Sequence, residues 1–88
     1  MTLSVEGHID TLSSNELEEA INAEIGNFDL LILDFADLNY ISSAGLRVLI
    51  VTQKKLYQDN ASLVIKNAND DVKSVFKTTG FDKIIKLE

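Results

Sequence analysis

The chain has 88 residues, 45% of them apolar, with 14 acidic and 8 basic side chains and a formal net charge of −6. That length builds one small core, and the acidic balance argues against a general binder of nucleic-acid backbones, which needs clustered Lys and Arg. With no cysteine and His8 as the one histidine, a disulfide framework, a thiolate metal site and a histidine-rich metal site are excluded.

In chain order, Thr2 to Glu6 alternates apolar and polar residues and reads as a strand, broken by Gly7. Ser13 and Glu16 stand at capping-box spacing. Leu17, Ala20, Ile21 and Ile25 then form a helical stripe with Glu16, Glu18, Glu19 and Glu24 on its wet side. Gly26-Asn27 is the stop signal. Phe28 to Phe35 is a nearly continuous apolar run, which predicts a central strand covered on both faces. Tyr40-Ile41 is expected to return to the core. A helix is predicted from Ser42 or Ser43 to about Asp59, with Leu46, Leu49 and Ile50 facing the sheet. Leu63-Val64-Ile65 reads as a buried strand. A helix with Asp70 and Asp71 in its first turn carries Val72, Val75 and Phe76 and closes at Gly80. Ile84-Ile85 reads as a last short strand or edge segment. The resulting β-α-β-(short)-α-β-α-β order predicts an α/β fold, a mixed, mainly parallel sheet with helices packed against it.

No apolar run approaches the ~20 residues needed to cross a bilayer. The N-terminus lacks the basic start and apolar stretch of a signal peptide. The expectation is a cytoplasmic protein without direct membrane insertion.

The junction Asn39 to Ile50, NYISSAGLRVLI, carries the chemistry. Serine at a helix start caps unpaired N–H groups, and the same place tolerates a phosphate. From the residues alone, both readings of the serine pair stay open. Asp10, Asp34 and Asp37 read as loop-solvating and turn-capping groups rather than a metal site. His8 reads as an exposed loop residue. No catalytic constellation, cofactor motif or phosphate loop of the Gly-x-x-x-x-Gly-Lys type is present.

Three segments, GHID at Gly7 to Asp10, LLILDFADLNYISSAGLRVLI from Leu30 and LVIKNANDDVKSVFKTTGFDKII from Leu63, together resemble the STAS domain of bacterial anti-sigma factor antagonists. They cover nearly the whole chain, so residues 1–88 are expected to form a single STAS-like domain, short at both ends relative to the family. The resemblance implies a non-enzymatic protein that binds an anti-sigma factor serine kinase and is switched off by phosphorylation, with a phosphatase to reset it. Transcription by a sigma factor would be the process regulated.

In regulated members the loop commonly reads Asp-Ser-(Ser/Thr)-Gly-Leu-Gly, with the serine after the aspartate as acceptor. Aligned on Gly45-Leu46, the acceptor is Ser43, with Ser42 as runner-up. Ser42 then replaces the aspartate, Ala44 the second hydroxyl residue and Arg47 a small residue. The partner-binding set expected from the resemblance is Asp10, Asp37, Tyr40, Ser42, Ala44, Gly45 and Arg47. The alternative is a phosphorylation-independent scaffold subunit of a sensor assembly or a membrane-transport complex. A missing first strand would leave a sheet edge open for oligomer formation.

Overall fold

The computed structural model describes all residues from Met1 to Glu88. Its elements run β1 (Thr2–Ser4), β2 (Gly7–Ile9), α1 (Thr11–Asn22), β3 (Leu30–Asp34), β4 (Leu38–Ile41), α2 (Ser43–Gln58), β5 (Ser62–Lys66), α3 (Asp70–Thr79), a 3₁₀ turn (Phe81–Lys83) and β6 (Lys86–Leu87). The α/β expectation holds, and every strand pair is parallel. Four strands form one sheet in the order β1-β3-β5-β6, while β2 and β4 form a separate two-stranded ribbon. No helix is long and apolar enough to cross a membrane.

The strand order decides which face is covered. From β1 to β3 to β5 to β6 the chain always steps in the same direction across the sheet. Right-handed crossovers then deliver every helix to the same face. That face carries Leu31, Leu33, Leu63 and Ile65, which share one core with Ile21, Leu49, Leu56, Val72 and Phe76 from the three helices. The expectation that the Phe28 to Phe35 run is covered on both sides is therefore corrected. Leu31 and Leu33 are fully buried, but Leu30 is exposed and Ile32 only half-buried. Ile32 and Val64, paired in register on the opposite face, stand outside the helix-packed cluster, although Val64 is itself buried. An unbroken apolar run signals double cover only when the strand order reverses, and here it does not.

Three local expectations also change. The α1 cap is Asp10, not Ser13: its carboxylate accepts from Leu12 N and Ser13 N, and the Ser13 hydroxyl accepts from Asp10 N at 2.9 Å. This places the capping box three residues upstream of the predicted one. Tyr40 is exposed, so Ile41 alone enters the core from that pair; Tyr40 instead lies over the cleft beside Val72 and Val75 of α3. Ile84-Ile85 is not a strand, because the amides of both residues turn back to the Phe81 carbonyl in the 3₁₀ turn. Ile85 is still buried, and the ladder resumes at Lys86.

The α2 helix matches its predicted span closely. Leu46 and Leu49 are buried, and Ile50 packs at the core's margin. Gly80 takes a left-handed φ of 79° at the end of α3, the conformation a glycine accepts without cost. Leu49 has no exposed surface. Replacing it with Ala should therefore destabilise the fold by about 2–5 kcal/mol, read as a lowered midpoint in urea denaturation.

Candidate functional site

The site is built where two helices start side by side. Ile9 and Ile41 are register partners in the β2–β4 ribbon, so the residues that follow them, Asp10 and Ser42, emerge together at the ribbon's C-terminal end. The Ser42 amide donates to the Ile9 carbonyl at 2.8 Å and ties the two exits to each other. Asp10 caps α1 and Ser42 caps α2; the Ser42 hydroxyl accepts from Gly45 N at 3.2 Å. Open α/β sheets place ligand-facing residues at this end of their strands.

Gly45 fixes how near α2 comes to the ribbon. A Cβ built there would lie 2.6 Å from Ile9 Cγ2 and 2.9 Å from Ile41 Cγ1, closer than carbon atoms approach. The glycine is thus required by packing, not by a phosphate loop. Its neighbours divide accordingly. Ser43 is the first residue of α2 and exposed, and its side chain makes no hydrogen bond within the protein. Ala44 and Arg47 border a cleft against Thr11, Asn15 and Glu18 of α1. Ser43 and Arg47, one turn apart, also border a second groove toward Thr79 and Phe81.

Not every expected residue joins them. Asp10, Ser42, Ser43, Ala44, Gly45 and Arg47 come together at this end. Asp37 lies at the opposite end of β4, where its carbonyl accepts from Gly7 N, with the length of an extended strand, ~15 Å, between it and Ser42. Tyr40 stands between, opposite His8 in the ribbon. Asp34 ties two loops instead, accepting from Asn67 Nδ2 at 3.1 Å and Ala36 N at 3.0 Å. Sequence reasoning missed Lys54, Thr79 and Phe81 at the groove. The first is signalled by its seven-residue spacing from Arg47, while the others arrive from a distant part of the chain with no local signal.

Two carboxylates are tuned. Hydrogen bonds from the Ser13 amide and hydroxyl, then the Leu12 amide and the charge of His8, hold Asp10 below the ordinary value of 3.8. Asn67 and the Ala36 amide, with Lys66 nearby, do the same for Asp34. A carboxylate with a depressed folded-state pKa stabilises the fold above its unfolded value and loses that effect as pH falls through the folded one. The Tm should thus drop as pH falls below about 3.8, and drop less steeply in Asp10→Asn and in Asp34→Asn, measured by circular dichroism melts between pH 2 and 7.

The whole chain, residues 1–88, matches the STAS domain family, and the protein belongs to it. A putative anti-sigma factor antagonist of Bordetella bronchiseptica, BtrV, is 33% identical over 78 residues, which span 88% of this chain and 67% of that one. The crystal structure of an anti-sigma factor antagonist from Mycobacterium paratuberculosis superposes with a TM-score of 0.86 at 28% identity, covering 98% of this chain and 74% of that one. SpoIIAA in its unphosphorylated form superposes at 0.85 with 17% identity, covering 99% and 77%; the Bacillus protein in its phosphorylated form gives 0.77. At that identity the SpoIIAA likeness speaks for the fold.

Filling the space at Gly45 should cost stability. Gly45→Ala is expected to destabilise by about 1–3 kcal/mol through overpacking against Ile9 and Ile41, seen as a lower urea midpoint, whereas Ala44→Ser at the half-buried neighbour should change it little.

Proposed function

We propose that the protein is a non-enzymatic, cytoplasmic anti-sigma factor antagonist that binds an anti-sigma factor serine kinase and is switched off by phosphorylation of Ser43. Binding by the unmodified form would free a sigma factor for transcription, and a phosphatase would reset the switch. The relatives named as anti-sigma factor antagonists support the class. One observation carries the site: of the two serines, Ser42 spends its hydroxyl on the Gly45 amide, while Ser43 stands exposed and unbonded at the first helical position.

The physics of such a switch follows from that position. A phosphate on Ser43 adds ~−1.5 to −2 charges where the unpaired N–H groups and the dipole of α2 favour negative charge. The fold tolerates the modification. An interface that covers Ser43 does not, because unpaired charge is costly to desolvate. The Ser42 replacement of the usual aspartate and the presence of Arg47 change the charges a kinase would meet.

Incubation with ATP and the anti-sigma kinase encoded in the same genome should label Ser43, and Ser43→Ala should abolish the label. Ser43→Asp should weaken kinase binding by about tenfold or more with a nearly unchanged Tm. Labelling confined to Ser42 would move the acceptor by one residue. Tight binding with no labelling of either serine would replace the switch by a constitutive scaffold.

A further inference from the structure

The side of α2 that carries Ser43 continues into a groove. A cavity of about 420 Å³ is floored by Leu46, Ile50 and Phe81 and bordered by Ser43, Arg47 and Lys54. Lys54 also borders a second cavity of about 350 Å³ that reaches Tyr57 and Ile84. The path from Ser43 to Tyr57 follows α2 for ~21 Å, close to four turns at 1.5 Å per residue. Large apolar side chains surface along it: Val51 is 37% exposed, Ile84 51% and Tyr57 78%.

Charge sets these two cavities apart from the clefts lined by Glu6 and Glu16, by Asp71, and by Glu18, the last on the other side of Arg47. The chain carries 14 acidic residues against 8 basic ones, yet no acidic residue lines either cavity. Arg47 and Lys54, two turns apart on one helix face, take part in none of the protein's ion pairs, which join His8 to Asp10, and Lys66 and Lys86 to Glu88.

We infer that this groove docks an acidic, amphipathic segment of the partner protein, held by Arg47 and Lys54, with Ser43 at its mouth. The length and apolar floor suit a helix laid into a groove. The cations select its charge: a basic segment would be repelled, and a purely apolar one would leave two cations desolvated without partners. The inference rests on the antagonist reading and adds why one phosphate suffices. At ~−1.5 to −2 charges, a phosphate on Ser43 cancels the pair of cations that attracts the acidic segment, and Arg47 lies one turn away on the same face to receive it.

Two measurements test this. Isothermal titration with the anti-sigma factor compares the wild type, R47E/K54E and a control of equal charge change, K73E/K86E, whose residues lie off the groove. R47E/K54E should weaken binding about tenfold or more, with the control within about twofold. In parallel, a capped peptide of about four helical turns, leucine on one face and glutamate on the others, is titrated into ¹⁵N-labelled protein, with a lysine counterpart. The glutamate peptide should shift amides along α2 and Phe81 to Ile84 in the wild type, but not in R47E/K54E or in protein carrying phosphoserine at 43.

Equal effects of the two double variants, shifts elsewhere, or equal response to the lysine peptide would overturn the groove assignment and leave the antagonist reading intact. No binding of the anti-sigma factor, with the peptide shifts as expected, would overturn the antagonist reading and keep the acidic-segment groove. A wild-type dimer that R47E/K54E dissociates would assign the groove to a second copy of this chain instead.

Discussion

The contact of α2 with the β2–β4 ribbon at Gly45 sets the geometry on which the site depends. The absence of a side chain lets the first turn of the helix rest on Ile9 and Ile41. The β2–β4 pairing on which the helix rests puts the Ser42 amide within bonding distance of the Ile9 carbonyl. It thereby brings the starts of α1 and α2 together, with Asp10 and Ser42 as neighbouring caps. Everything exposed at this end, from Ser43 to the Arg47 ridge, inherits its position from a contact made in the core.

The same arrangement separates holding from reading. Ser42 and Asp10 spend their polar atoms on helix ends, which leaves Ser43 free. The Ser42 hydroxyl is held in place by the Gly45 amide it accepts from. Ser43 follows it by a single residue, exposed and unbonded, in the same favourable field of the helix terminus. Adjacent serines can therefore divide the structural and the chemical role between them.

Much of this was legible in the amino-acid order, and what was not has a common cause. The spans of α2 and β5 and the closure at Gly80 follow from local spacing, where periodicity and turn chemistry act on near neighbours. The cover of β3 does not: LLIL reads the same whether helices lie on one face or two, and only the strand order, a property of the whole chain, decides. The cap of α1 is ambiguous in sequence because Asp10 and Ser13 satisfy the same spacing as Ser13 and Glu16, and only the folded backbone selects the first pair. The candidate site was legible at Ser42 to Arg47, which are contiguous. Asp37 belongs to the partner set that the resemblance implies, but β4, Leu38–Ile41, carries it an extended strand's length away from Ser42. Phe81 and Thr79 reach the groove by tertiary folding alone.

The exposure of Arg47 and Lys54 has a consequence for how such a protein diversifies. Gly45, Ile9 and Ile41 are locked together, so a change at any of them is felt by the fold. Arg47 and Lys54 point away from the core, and surface substitutions of this kind usually cost little stability. Duplicated copies of the gene can therefore exchange their rim charges, one or two codons at a time, without passing through unfolded intermediates. On the proposed reading, several such proteins could share one cell and bind different partners, with the serine and its helix unchanged in all of them.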